Sequence, residues 1–319
     1  MRNLSKLIGR INNIFEESAN PMEKTFKSGF AALIGRPNAG KSTLTNQLVG
    51  EKVAIISDKP QTTRNSIRGI YTDEDMQLVL IDTPGVHKPK FKLGARMMAA
   101  VEESLFGCDV LLYLVDVSES FGAGEEYILK MLANTESPVL LILNKTDLVP
   151  RDKILPLIDF FQDKYDFAEI VPFSAISGEN REYLLKLIGK YLPEGPAYYP
   201  EDMLSDLPEN MLMAELIREQ ALRLTSQEIP HSIAVSVAEL EERENGLLYV
   251  SANIYVERES QKGIIIGKHG AMLKNIGSAA RAELERIFAC RVFLDLRVKT
   301  KRDWRNNDAL LDSWIKDSE

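Results

Sequence analysis

The sequence predicts two domains: an α/β domain with a mostly parallel sheet and helices on both faces, followed by a smaller α+β domain. Three observations carry this. Short apolar runs without alternation recur through residues 30–175, as in strands covered on both faces. Beyond residue 208 the pattern changes to alternating strands that bury one face. The length of 319 residues suffices for two domains of ~150 residues each.

Residues 1–27 stand apart as an N-terminal extension. Leu4, Leu7, Ile8, Ile11, Ile14 and Phe15 fall at helical spacing, with Arg2, Lys6 and Arg10 between them. The readings are an amphipathic helix in peripheral contact with a membrane, a targeting peptide, or an extension that docks on its own protein or frays. Glu16 and Glu17 count against targeting, since transit peptides are poor in acids. Residues 28–195 form the first domain. Its strands are "FAALIG", "QLVLID", "VLLYLVD", "VLLILNK" and "EIVPFSA", with "SIRGIYT" as an added edge strand. Residues 196–208 read as a linker, in a stretch holding Pro193, Pro196, Pro200 and Pro208 with Glu194, Glu201, Asp202 and Asp206. The second domain, 209–319, starts with a helix over 209–225. Two strands, "SIAVSVAEL" and "LLYVSANIYVE", follow around a turn at Asn245-Gly246. "GIIIGKHGAML", a helix to Phe288, the strand "RVFLDLRVKT" and a short tail complete it.

Composition sets bounds on function. With 45% hydrophobic and 27% charged residues, the chain builds cores and is no disordered tail. Cys108 and Cys290 make neither a disulfide framework nor a zinc cluster and read as small buried hydrophobes, which fits a reducing cytoplasm. No apolar run approaches the ~18 residues that span a bilayer. The net charge of −8 excludes a protein that coats nucleic acid with its whole surface. Residues 262–305, however, hold 11 Lys and Arg against 4 Asp and Glu, and such a local excess predicts one polyanion site.

Chemistry concentrates at strand ends. "GRPNAGKS" (Gly35, Arg36, Pro37, Asn38, Ala39, Gly40, Lys41, Ser42) follows a strand and opens a helix that continues with Thr43. Its glycines let backbone amides surround phosphate oxygens, and the helix end adds positive potential. Lys41 is expected on the β- and γ-phosphates and Ser42 on Mg²⁺. "DTPG" (Asp82, Thr83, Pro84, Gly85) follows the next strand. There Asp82 can hold Mg²⁺ and the Gly85 amide can meet a γ-phosphate. "NKTD" chooses the base: an Asp147 carboxylate accepts from guanine's ring N–H and amine, which adenine does not offer. Asn144 is expected to tie its loop to the phosphate loop, and the Lys145 stem to cover the ring. Ser174 and Ala175 of "SAIS" follow the last strand, with the Ala175 amide expected on the base carbonyl. Together these predict binding of GTP and GDP.

The motif order resembles the translation-factor-related GTPases, whose first switch loop matches "KPQTTRNSIRGIYT". One of its threonines, Thr62 or Thr63, is expected on Mg²⁺, with Thr63 preferred; Lys41, Thr63 and Asn38 are the catalytic candidates. Ras-like proteins place a water-orienting glutamine after D-x-x-G, whereas this chain has Val86. In similar GTPases a P-loop asparagine helps hold an activating K⁺, and Asn38 stands at that place. His87 is read as a solvated loop histidine. Two alternative readings remain: an RNA anchor with little hydrolysis, suggested by Val86, and a membrane-linked regulatory GTPase attached through residues 1–20.

In the basic segment Gly267, Lys268, His269 and Gly270 form G-x-x-G, as in the loop of a KH domain. Lys262, Lys274 and Arg281 add charge, and Ile264, Ile265 and Ile266 either stack on bases or enter the core. The α-β-β-α-α-β order looks like the type II KH arrangement. A P-loop GTPase domain followed by such a domain resembles the Era family of bacterial ribosome-assembly GTPases. The resemblance spans residues 28–305 and rests on "GRPNAGKST", "QTTR", "DTPGVHKP", "NKTDL", "SAISG", "YYPEDMLSD", "REQALRLTSQEIPHS" and "GIIIGKHG". It implies a GTPase that binds the 3′ end of 16S ribosomal RNA in maturation of the 30S subunit. A monomer is expected, cytoplasmic and ribosome-associated, with peripheral contact at the inner face of the cell membrane as a further reading. The acidic linker is expected against the basic segment when RNA is absent.

Overall fold

The structure, a computed structural model, describes residues 25–59, 61–225, 232–244 and 246–315. The helix expected near the N-terminus lies outside the described residues.

The first domain contains β1 (Lys27–Gly35), α1 (Lys41–Val49), β2 (Ile67–Thr72), β3 (Met76–Asp82), α2 (Lys92–Leu105) and β4 (Val110–Asp116). It continues with α3 (Ala123–Leu132), β5 (Val139–Asn144), α4 (Ile154–Gln162), β6 (Glu169–Pro172) and α5 (Arg181–Tyr191). The sheet order is β2-β3-β1-β4-β5-β6. Every pair is parallel except β2 on β3, the antiparallel edge. Unbroken apolar runs fit because successive residues feed two cores. Ala31, Leu33, Leu112 and Leu114 pack under α1 and α5, whereas Ala32, Ile34, Leu111 and Tyr113 pack under α2, α3 and α4. β1 has neighbours on both sides, so the loop after it opens at the crevice where strand order reverses, the usual place for a ligand.

The segment after α5 is pinned to this domain. The Gln77 carboxamide oxygen accepts from the amides of Tyr198 and Tyr199, and Ile70 N–H donates to Leu204 O at 2.8 Å. Asp206 pairs with Arg68 at 2.7 Å, while Glu201 and Asp202 are exposed. The expectation that these acids lie on the basic segment is therefore corrected: the edge strand holds the chain elsewhere.

The second domain runs α6 (Glu209–Leu224), β7 (Ala234–Glu242), β8 (Leu247–Val256), α7 (Glu259–Ile266), α8 (Ala271–Phe288) and β9 (Arg291–Thr300), then α9 (Asp308–Ile315). In the order β7-β8-β9 the first pair is antiparallel and the second parallel. Val250, Ala252, Ile254 and Val256 alternate inward against Met213, Ile217, Ile276 and Leu284 of α6 and α8.

The domains share apolar surface. Ile55 of the first enters the core of the second, and Leu93 and Met97 of α2 pack with Tyr255, Trp304 and Leu311. Arg305 lies 3.9 Å above the Phe91 ring. The rim pairs Lys92–Asp308 and Arg96–Asp312, both 2.5 Å, are solvent-exposed and contribute little.

Candidate functional site

The phosphate loop turns between β1 and α1. Gly40 sits at φ 98°, and a Cβ there would meet Asn144 Nδ2 at 2.2 Å, so only glycine fits. Lys41 is buried, with Nζ donating to the carbonyls of Gly35 and Arg36 at 3.1 Å each. Burial pushes its pKa down to about 8, and the Asp82 charge opposes that fall. The Arg36 side chain turns away to Glu125 at 3.0 Å, so it contributes backbone alone. Thr43 lines the cavity with Asn38, Gly40 and Ser42.

Three oxygens converge beside Lys41. Ser42 Oγ lies 2.8 Å from Thr63 Oγ1 and donates to Asp82 Oδ2 at 2.6 Å, while Thr63 Oγ1 donates to the same oxygen at 3.4 Å. Burial pushes Asp82 up to about 6 against the Ser42 hydrogen bond, the Lys41 charge and the Thr63 hydrogen bond. Asp82 Oδ1 is buried without a partner among the described residues. A hydroxyl pair with a buried, under-satisfied carboxylate is the hard donor set that Mg²⁺ takes. Of the two switch threonines, Thr63 is the one whose hydroxyl approaches Ser42 and Asp82. Thr62 Oγ1 turns instead to Lys59 O at 2.6 Å.

The loop after β3 is strapped below the phosphate loop. Thr83 Oγ1 donates to Leu33 O at 2.5 Å, and Val86 N–H donates to Gly35 O at 3.0 Å. Pro84 is buried, and Val86 packs with Ile34 and Met98, its side chain spent on the core. His87 departs from expectation. It is half-buried, with Nδ1 2.7 Å from Gly85 O and Nε2 3.2 Å from Gln61 Nε2.

At the base end, Asn144 Nδ2 donates to Ala39 O at 2.8 Å, tying the two loops together. Lys145, at φ 66°, reaches Asp116 at 2.5 Å and lines the cavity. Ser174 Oγ donates to Asp147 Oδ1 at 2.6 Å, which orients the exposed carboxylate. The Ala175 amide donates to Asn144 Oδ1 at 3.0 Å, which braces the loop beside the base end of the cavity.

In the second domain Gly267 stands at φ 73°, where a Cβ would meet Met272 Cβ at 2.6 Å. Lys268 and His269 are exposed between it and Gly270. Lys274 and Arg281 are exposed seven residues apart, hence on one face of α8; Lys262 is half-buried on α7. Lys268, Lys274 and Arg281 join no ion pair with a described residue, so their charge is open to a polyanion. The isoleucines divide. Ile265 is fully buried in the core and so is closed to RNA, Ile264 is 48% exposed, and Ile266 is half-buried.

Comparison with known proteins follows this division. Residues 30–145 match the family described as 50S ribosome-binding GTPase, and residues 228–305 match the KH domain. A crystal structure of Era in complex with MgGDPNP and nucleotides 1506–1542 of 16S ribosomal RNA is 41% identical, with a TM-score of 0.89 over 92% of this chain and 100% of that one. A variant of Aquifex aeolicus Era bound to GDP·AlF4⁻ gives the same identity, TM-score and coverage. The chain belongs to the Era family. It is a GTPase with a KH domain.

Within this Era-family chain the two domains meet at the switch loop. Arg218 of α6 is buried, donating Nη2 to Thr62 O and pairing with Glu215 at 2.5 Å. Arg64 is buried too, donates to Ile233 O at 2.6 Å, and lies 5.3 Å from the Trp304 ring centroid. Glu219 of α6 accepts from Ile56 N–H at 3.0 Å and pairs with Lys52 at 2.5 Å. None of these was singled out from the sequence. Gln61, Asp58 and Ile176 were also missed, although they line the nucleotide cavity of about 350 Å³. Arg64 lies inside "QTTR", but nothing local in that motif names a partner about 170 residues away.

Proposed function

We propose that this GTPase binds Mg²⁺·GTP between the phosphate loop and Asp147, and single-stranded 16S ribosomal RNA near its 3′ end on the KH domain, acting as a cytoplasmic monomer in 30S assembly. One observation carries the reading. The arrangement of phosphate loop, Thr63–Ser42–Asp82 cluster and exposed GKHG loop occurs in a chain 41% identical to an Era solved with MgGDPNP and a 16S fragment. Ser42, Thr63 and Asp82 would hold Mg²⁺, which supplies charge neutralisation at the phosphates. Lys41 leaves the Gly35 and Arg36 carbonyls for phosphate oxygens, and its charge is stabilised there. Asp147 selects guanine. Asn38, at φ 65°, donates Nδ2 to Asp58 O at 2.8 Å, which leaves Oδ1 as an acceptor for K⁺.

On the KH domain, Gly267 and Gly270 bring backbone close to sugar–phosphate while Lys268, Lys274 and Arg281 neutralise charge. The test is ultraviolet crosslinking of the full chain to total RNA with sequencing of bound fragments, alongside phosphate release with and without the recovered RNA. Enrichment of the 16S 3′ end and RNA-stimulated release are expected. Enrichment of other RNAs alone would overturn the target.

A further inference from the structure

Val86 is packed into the core, so the usual water-positioning side chain has no counterpart at its usual place. We propose that Gln61 supplies it, approaching from the switch loop, and that His87 is the positioning residue that orients Gln61. Three features of the structure converge on this pair. Gln61 lines both the nucleotide cavity and the neighbouring cleft between the domains, with Pro37 at the same border. It stands two residues before Thr63, whose hydroxyl closes on the Ser42–Asp82 cluster, so the closed switch carries Gln61 to the phosphate end. Its backbone is left-handed at φ 63°, a strained conformation for a non-glycine residue that recurs where function requires it.

The hydrogen bonds define a polarity. Gly85 O accepts, so His87 Nδ1 carries the proton and Nε2 is the acceptor. Gln61 Nε2 then donates to His87 Nε2 at 3.2 Å. With its amide nitrogen committed, Gln61 presents Oε1 as the acceptor for a water proton, which is the polarity that hydrolysis needs. The water oxygen forms a bond to the γ-phosphorus as the bond to the β–γ bridging oxygen breaks. The water proton passes to the phosphate oxygens, because a neutral carboxamide holds none. GDP and inorganic phosphate leave. The carboxamide thus positions the nucleophile, and His87 fixes which end of the amide faces it.

The test uses the full chain with K⁺ and Mg²⁺ present. Gln61→Ala should lower the single-turnover hydrolysis rate by on the order of 10²-fold, as loss of one positioned group does, with affinity for a non-hydrolysable GTP analogue within about twofold. Binding of GDP with aluminium fluoride should weaken in parallel with the rate, a loss that a loop-packing role would not cause. His87→Gln retains an acceptor near the Nε2 position and should keep most of the rate, whereas His87→Asn should lose it. The Gln61→Ala and His87→Asn double variant should be no slower than Gln61→Ala alone, because the histidine acts through the glutamine. Wild-type hydrolysis by Gln61→Ala would overturn the proposal, and so would equal losses of GTP-analogue affinity and rate. Additive losses in the double variant would remove His87 from it.

Discussion

The contact between Arg218 and the Thr62 carbonyl gives nucleotide state a route to the RNA-binding domain, and Arg218→Met tests it. Thr62 precedes the threonine that closes on Ser42 and Asp82, so the carbonyl is offered to α6 when the switch loop is closed. A hydrogen bond from a charged donor contributes ~1.5–3 kcal/mol, which is about 10–150-fold in an equilibrium. Methionine preserves the buried stem packing and removes a guanidinium whose Nη1 has no partner among the described residues, so the fold should hold. Glu215, 25% exposed, can turn to water once its partner is gone. The assay is fluorescence anisotropy of a labelled 16S 3′-end fragment, titrated with protein loaded with GDP or a non-hydrolysable GTP analogue. Ionic strength and K⁺ are held fixed, because phosphate contacts make affinity salt-dependent. Wild type should bind RNA more tightly in the GTP-analogue state, with a coupling of ~1–3 kcal/mol. In Arg218→Met the ratio of the two affinities should fall at least fivefold toward unity. A folded variant that keeps the wild-type ratio would refute the route.

Other perturbations address single parts. Asp147→Asn should move preference from GTP toward xanthosine triphosphate, read by competition binding; unchanged preference would remove Asp147 from base selection. Replacing K⁺ by Na⁺ should slow wild-type hydrolysis strongly and leave Asn38→Ala unaffected, and equal wild-type rates in both salts would sink that assignment. Lys268→Asp with His269→Asp should abolish RNA binding in anisotropy titrations while GTP affinity stays within about twofold, since Lys268 and His269 lie on the other domain. Asp82→Asn should abolish the Mg²⁺ dependence of GTP binding yet stabilise the nucleotide-free protein. Burial raises this carboxyl from 3.8 to about 6, so the folded state binds its proton more tightly, and the stability cost grows as pH rises through that window. The complete cost is about 3 kcal/mol, so thermal melts in EDTA should show a larger gain at pH 8 than at pH 5. Equal gains at both would count against it.

Features fixed by local backbone requirements were legible in the sequence. The strands could be read because their apolar runs feed two cores, and the phosphate loop because Gly40 has no alternative at φ 98° beside Asn144. Choices between adjacent side chains were not legible. Thr62 and Thr63 are identical in chemistry, and only the path of the loop sends one to Asp82 and the other to Lys59. Sequence spacing puts the Ala175 amide near the base but does not show its Asn144 oxygen partner. Within Ile264, Ile265 and Ile266 the periodicity of one short helix turn cannot say which residue faces inward. Nothing near His87 in the sequence shows its partner Gln61, 26 residues away, so a solvated loop histidine is the local reading.

The domain contact itself is built to be breakable. Burial pushes Arg64 down to about 9, aided by the neighbouring charges of Arg218 and Arg305 and opposed by Glu215. Its Nε and Nη2 have no partner among the described residues, nor does Arg218 Nη1. Two like charges, buried side by side with donors unpaired, cost free energy that a wholly apolar junction would not. The compensating contacts run from Arg218 to Thr62 O and Glu215, and from Arg64 to Ile233 O and the Trp304 ring, so one of them ends on the carbonyl next to Thr63. Arg64 follows Thr63 in the switch loop and Arg218 bonds the carbonyl before it, so release of Thr63 from the phosphate end is expected to loosen both arginines and weaken the junction. A junction held by Ile55, Leu93 and Met97 alone would favour one arrangement in every nucleotide state. Arg64→Met should accordingly strengthen domain docking in the GDP state and slow RNA-linked rearrangement. Fluorescence energy transfer between labels on α4 and α8 would report this, with an unchanged GDP-state distance distribution as the refuting result.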